Sequence, residues 1–288
     1  MHSNMAARTA ARPSSSLSVS HRPVAVHLIH RPHGSGHNDG STYQWRYGRK
    51  PSVWRPFRQD DPSIGRAMAT FLVTGTNRGI GLEYCRQLQA RGDQVIAVCR
   101  QPSDELEALG VQVEEGIELS SENSIAELVD RLQGQQLDGV ILNAGILRSM
   151  SLDDLNAEAI REQFEVNALA PLLLAKALIP LMRTGSKLAL MTSRMGSIDD
   201  NTSGGTYGYR MSKVALNIAG KSLAIDLHPK GIAVAILHPG LVRTRMINFN
   251  PHGIEPSESV AGLLARIDEL NLEKSGTFWH SNGQVLPW

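Results

Sequence analysis

From Thr70 onward, short, mostly unbroken apolar runs alternate with segments in which apolar residues return every three or four positions. The runs cover 71–73, 95–98, 111–113 continuing toward Ile117, 139–142, 188–191 and 232–237. A strand that is apolar throughout, and not only at every second residue, is covered on both faces, as in a parallel sheet. Between the runs, Leu82, Cys85 and Leu88 share a helical face that closes at Gly92. Ile125, Leu128 and Leu132 share another, with Ser120 or Ser121 placed to cap it. Longer helical patterns fill 158–182 and 207–228. The alternation predicts an α/β fold: one doubly wound domain with a parallel sheet flanked by helices on both faces.

Composition changes the picture mainly at the N-terminus. The 288 residues carry a net charge of +1, but residues 1–67 hold nine Arg, Lys50 and only three acids. That stretch, rich in Ser, Pro, Gly and His, is expected to be a basic, low-complexity, disordered extension, since it cannot bury enough apolar surface to offset its ordering entropy. It reads as a transit peptide, as a basic interaction tail, or as sequence upstream of a true start at Met68, before the first strand. Residues 68–288 form the expected domain, mildly acidic and without a feature that suggests nucleic acid. The longest apolar run, 168–182, is interrupted by Pro171 and Lys176 and falls short of a membrane span. Cys85 and Cys99 are too few and too scattered for a disulfide framework or a metal site, and read as buried hydrophobes.

Candidate chemistry begins directly after the first run. In Thr74-Gly75-Thr76-Asn77-Arg78-Gly79-Ile80-Gly81 the glycines let the backbone turn tightly, approach a pyrophosphate and open a helix whose N-terminus favours an anion. The second run ends Val98-Cys99-Arg100, with no acid to take a ribose hydroxyl. Arg100 therefore favours the 2′-phosphate of NADP(H) over NAD(H). In the last long helical pattern, Tyr209 and Lys213 stand four residues apart on one face, where an ammonium stabilises a phenolate. Tyr207 has Met211 at the corresponding position and fails this test.

This pattern resembles the short-chain dehydrogenase/reductase family, a Rossmann-type fold. Within it the chain is most similar to the C-factor and sniffer-type carbonyl reductase branch, on Tyr209-Arg-Met-Ser-Lys-Val-Ala-Leu-Asn217, a long Ser–Tyr connection and the ending Gly283-Gln-Val-Leu-Pro-Trp288. The resemblance implies Ser193 as the serine that polarises a carbonyl, with Ser197 as the alternative, and Asn167 as a fourth member linking Lys213 to solvent. It implies that Arg78, in the glycine turn, also holds the 2′-phosphate, that Asn143-Ala144-Gly145 closes the adenine-ribose side and that Pro239, Gly240, Val242 and Thr244 meet the nicotinamide. The family's usual Asp after the third strand is replaced by Glu118-Leu119, so Glu118 is the expected adenine contact. The implied activity is interconversion of a carbonyl and an alcohol by hydride transfer, without a metal. The alternative is a dinucleotide-binding regulatory protein of the C-factor type with little turnover. The substrate is expected to be a small carbonyl or alcohol under a short lid carrying Met246, Ile247 and Phe249. A homodimer or homotetramer is expected through the two long helices, on Leu172–Leu174, Leu178, Ile179, Leu216, Ile218 and Leu223. The expected location is cytoplasmic, or an organelle if the basic extension is real. The histidines, six of ten before residue 38, are not expected to take part.

Overall fold

The computed structural model describes residues 68–288, and the readings of residues 1–67 lie outside the described residues. The elements are β1 (Thr70–Thr74), α1 (Gly79–Ala90), β2 (Gln94–Val98), α2 (Asp104–Glu107), β3 (Gln112–Glu114), α3 (Glu122–Arg131) and β4 (Leu137–Leu142). They continue with α4 (Ala157–Phe164), α5 (Ala170–Leu178), β5 (Met182–Met191), α6 (Tyr207–Leu227), β6 (Ala233–His238), α7 (Pro256–Asp268) and β7 (Thr277–His280). The seven strands are parallel, in the order β3-β2-β1-β4-β5-β6-β7. Chain progression therefore reverses between β1 and β4, opening a crevice beyond their carboxyl ends.

The unbroken apolar runs are explained by where alternate side chains go. Phe71, Val73, Val95, Ala97, Ile141, Ala189 and Ala235 enter the layer built by α1 and α7, with Leu82, Leu88, Val260 and Leu263. Their neighbours Leu72, Ile96, Val98, Val140, Leu188 and Val234 enter the opposite layer, with Leu128, Leu174, Leu178, Leu216 and Leu223. Each fully buried Leu or Ile contributes about 2 kcal/mol through apolar burial. Both faces of the sheet are thus required, and neither tolerates a polar alternation.

Several expectations need correction. The helical pattern over 158–182 is not one helix: α4 passes into a π-turn at Glu165–Leu169, α5 follows, and a short 3-10 turn ends at Leu181. Met182 already belongs to β5, which starts well before its apolar run because Arg183, Thr184 and Gly185 are exposed strand residues. Ile117 is buried but lies beyond β3. The helical run Ala157–Leu181 is long and apolar enough, by length and composition, to cross a membrane, which the shorter apolar run did not suggest. In the fold, its Leu174 and Leu178 pack in the sheet's helix layer, and its Gln163 and Asn167 are buried with polar partners. The elements α2, α7 and β7 were not expected. The spacing of Val260, Leu263, Leu264 and Ile267 carried the signal for α7.

Candidate active site

The β1–α1 turn contains Gly75, Asn77, Arg78, Gly79, Ile80 and Gly81. No side chain caps α1 and no acid lies in its first turn, so its leading amides face outward with the positive end of the helix dipole. A Cβ at Gly81 would collide with the Gly75 carbonyl oxygen, so only glycine lets α1 start this close to the turn. The loops after neighbouring strands are tied to the same place. Thr74 Oγ1 accepts hydrogen bonds from Asn143 N at 3.0 Å and Ala144 N at 3.1 Å. Asn143 Nδ2 returns one to Thr74 O at 3.0 Å. Leu119 and Ala144 line one small hollow with Thr74. A Cβ at Gly79 would lie 3.4 Å from Thr244 Cγ2, so the segment after β6 reaches the glycine turn. Pro239 O, accepting from Ser259 Oγ at 2.7 Å and Ser281 Oγ at 3.1 Å, and the Val242–Ile254 bridge hold that segment.

Arg78 and Arg100 are exposed at this rim. Arg100, with its side chain 77% exposed, forms an ion pair with Glu118 at 3.4 Å. Burial works to raise the Glu118 carboxyl, but hydrogen bonds from Ser120 and the charge of Arg100 hold it below its usual range. The carboxylate expected to meet adenine is therefore engaged with the arginine expected to meet a phosphate. The exposed guanidinium, the uncapped helix end and the glycine cradle fit a phosphorylated dinucleotide.

Farther along the sheet edge, Ser193 follows β5 and accepts a hydrogen bond from Met195 N at 3.1 Å. Tyr209 and Lys213 lie on α6, both buried, with Nζ 5.6 Å from the phenol ring centroid. Lys213 Nζ donates to Met191 O at 2.8 Å. Burial raises the Tyr209 phenol to about 12, opposed by a hydrogen bond from Ser193. Burial also lowers the Lys213 ammonium to about 8. The expected lowering of the phenol by the ammonium is thus not the dominant effect; among the polypeptide's own groups, desolvation wins.

Asn167 lies in the π-turn, a helix irregularity frequent at functional sites. Its Oδ1 accepts from Ile146 N at 2.8 Å, and its Nδ2 donates to Ile146 O at 2.9 Å and Ser212 Oγ at 3.0 Å. A Cβ at Gly145 would lie 3.0 Å from Asn167 Oδ1 and 3.6 Å from Lys213 Nζ, which puts these groups on one small backbone patch. Sequence reasoning missed Ser212, whose Oγ donates to Tyr209 O at 2.8 Å and joins the two ends of this group. It also missed Asn217, whose amide donates to Gly196 O at 2.9 Å and fixes the turn after Ser193. Both lay inside the quoted motif. Gly208, next to Tyr209, faces α4 so closely that a Cβ would be 3.2 Å from Ile160 Cα and would press on Gln163.

Ser193, not Ser197, meets Tyr209. The Ser197 hydroxyl is occupied by Trp288 O at 3.1 Å and Asp200 N at 3.1 Å. Met246 and Phe249 are exposed beside a short 3-10 turn, Arg245–Ile247. His238 does have a ring partner, His280, with centroids 4.9 Å apart, and burial lowers it to about 3.

A family model described as short chain dehydrogenase matches residues 69–253. The chain belongs to that family. As a short-chain dehydrogenase it is 42% identical over 226 residues to the 1-hydroxy-2-glutathionyl-2-methyl-3-butene dehydrogenase of Rhodococcus sp., covering 77% of this chain and 100% of that one. It is 43% identical over 156 residues to the C-signal of Myxococcus xanthus, covering 53% of this chain and 93% of that one. Among solved structures, the NADPH-bound carbonyl reductase from chicken fatty liver matches with TM-score 0.69 and 30% identity, over 77% of this chain and 99% of that one. The carbonyl reductase Sniffer of D. melanogaster matches with TM-score 0.71 and 30% identity, over 77% and 100%. This short-chain dehydrogenase therefore has the fold of carbonyl reductases and belongs to an oxidoreductase family.

Proposed function

We propose that the protein is an NADP(H)-dependent carbonyl reductase, working in either direction, with Ser193, Tyr209 and Lys213 as its reacting set and Asn167 beside them. The observation that carries this reading is the buried Tyr209–Lys213 pair facing Ser193 at the sheet edge that also holds the glycine turn. A reduced nicotinamide dinucleotide bound along that edge would supply the hydride. The glycine turn and α1 would hold its pyrophosphate, Arg78 and Arg100 its 2′-phosphate, and Asn143-Ala144-Gly145 its adenine-ribose side. The Ser193 hydroxyl holds the substrate oxygen. Tyr209, kept protonated by its burial, gives that oxygen its proton as the alkoxide forms. The resulting phenolate is stabilised by the Lys213 ammonium, which returns a proton readily because its own value lies near 8. Asn167 keeps Ile146 and Ser212 in place around this exchange.

The Rhodococcus relative is named for an alcohol next to a glutathione thioether, so glutathione conjugates of that kind belong in the substrate panel with aldehydes, ketones and quinones. The test is calorimetry with NADPH and NADH, followed by that panel monitored through NADPH absorbance. Tyr209→Phe is expected to lower turnover by about 1,000-fold or more while leaving NADPH affinity within about two-fold. Failure of well-folded protein to bind either coenzyme would refute the reading. The similarity to C-signal favours a second reading, a dinucleotide-binding regulatory protein. Biological activity that survives Tyr209→Phe would support it.

A further inference from the structure

We infer that Trp288 and Ser197 form a latch that positions the Ser193–Tyr209 connection for the reaction, so that the C-terminal segment acts on turnover without touching substrate or coenzyme. The inference rests on the carbonyl reductase reading. The connection between Ser193 and Tyr209 is mostly surface chain: Ile198, Asp199 and the stretch 201–204 are exposed. Its first turn is fixed from the α6 side by Asn217, which bonds Gly196 O and accepts from Thr192 Oγ1 at 2.6 Å. Beyond Gly196 the later part of the connection is held by Arg210, which donates to Gly204 O, Gly205 O and Ser203 Oγ, and by Thr206 N on Met150 O. Residues 197–200 are held by the Arg194–Asp200 ion pair at 2.6 Å and by the tail. The Trp288 carbonyl accepts from Ser197 Oγ at 3.1 Å and from Asp199 N at 2.9 Å, and Ser197 Oγ in turn accepts from Asp200 N at 3.1 Å. One carbonyl therefore closes two hydrogen bonds on a loop that begins four residues from the substrate-facing serine.

The tail is itself held on the sheet edge, with the Trp288 ring partly exposed. The Trp288 ring stacks on Phe278 of β7 at 5.5 Å and 26°. Leu286 is buried with Phe278 and Ile236, and Leu286 N donates to Phe278 O at 2.8 Å. The Trp279–Val285 bridge folds the tail back along the sheet edge. A continuous path thus runs from the β6–β7 edge through Trp288 and Ser197 to the turn that aims Ser193 at Tyr209. Ser197 and Trp288 are positioning residues, and the ending singled out in the sequence, Gly283-Gln-Val-Leu-Pro-Trp288, gains a role the coenzyme site does not give it.

Ser197→Ala removes the hydrogen bond to the Trp288 carbonyl together with the one from Asp200 N, without emptying the core, and Trp288→Gly removes the ring that seats the carbonyl. With the panel carbonyl that wild type reduces fastest, both are expected to lower kcat by roughly 5- to 10-fold, the scale of a net hydrogen-bond contribution. NADPH affinity should stay within about two-fold, and the primary isotope effect from deuterated NADPH should rise as chemistry becomes slower. Ser197→Thr and Trp288→Phe, which keep the donor and the stack, should restore wild-type kcat. Wild-type kcat and isotope effect in Ser197→Ala and Trp288→Gly would overturn the latch. So would a parallel loss of Tm, coenzyme affinity and turnover that Ser197→Thr and Trp288→Phe do not restore, since that describes a general stability role. A wild-type protein that binds no coenzyme would sink the reductase reading and the latch with it.

Discussion

Burial raises the Tyr209 phenol to about 12 and lowers the Lys213 ammonium to about 8, and these opposite shifts carry opposite pH dependences. Between about 8 and the ordinary lysine value of 10.5, the unfolded chain holds a Lys213 proton that the folded chain has released, so stability rises with pH. Between the ordinary tyrosine value of 10.0 and about 12, the folded chain keeps a Tyr209 proton that the unfolded chain has lost, so stability falls. Urea unfolding of wild type and Lys213→Met across this range should show a wild-type gain on the order of 2 kcal/mol on going from pH 8 to 10, which the variant lacks. Identical slopes would refute the desolvated ammonium. If Arg100 takes the coenzyme's 2′-phosphate as proposed, the Arg100–Glu118 pair at 3.4 Å would make that phosphate compete with a carboxylate. Glu118→Gln should therefore tighten NADPH binding by roughly 2- to 5-fold, most at low salt, and Arg100→Ala should weaken it, both read by calorimetry. Sequence alone located these residues but could not pair them, because Arg100 and Glu118 belong to different strand ends and meet only across β2 and β3.

The strands were legible because each layer of helices demands an apolar side chain, leaving β1, β2, β4 and β6 with no polar alternation. The beginning of β5 was not, since Arg183–Gly185 extends past the covered part of the sheet. A kink at Asn167 was implied by the resemblance alone; nothing in the spacing of Glu165–Leu169 marks a π-turn, which shows only in Asn167 turning inward to Ile146 and Ser212. β7 was missed because four residues, two of them half-exposed, are too few for a pattern. By contrast, the glycine turn was readable in full, because Gly81 answers a steric demand no other residue meets. Gly81→Ala should push α1 away from the Gly75 carbonyl and weaken NADPH binding by about 10-fold or more, with a loss of stability of about 1–3 kcal/mol. An unchanged dissociation constant would show that the start of α1 does not hold the coenzyme.

In the whole molecule, most apolar residues expected to join subunits are used by the chain itself: Leu174, Leu178, Leu216 and Leu223 are core residues, and Leu172, Leu173 and Ile179 pack half-buried against them. What α6 leaves exposed is Met211, Ile218 and Ile225, spaced seven residues apart on one face, with Phe164 exposed on α4. A homo-oligomer through these helices would therefore rest on a narrower stripe than the sequence suggested. Sedimentation at micromolar concentration is expected to show an oligomer for wild type and a monomer for Ile218→Glu, and a wild-type monomer would refute the association. The close approach at Gly208 bears on the same helix from inside. With Ile160 and Gln163 pressed against it one residue before Tyr209, α6 has no room to come closer to α4 at that end. On the reductase reading the phenol would then be a fixed post, and preference among incoming molecules would be tuned by loops other than the Ser193–Tyr209 connection, such as the one after Thr244.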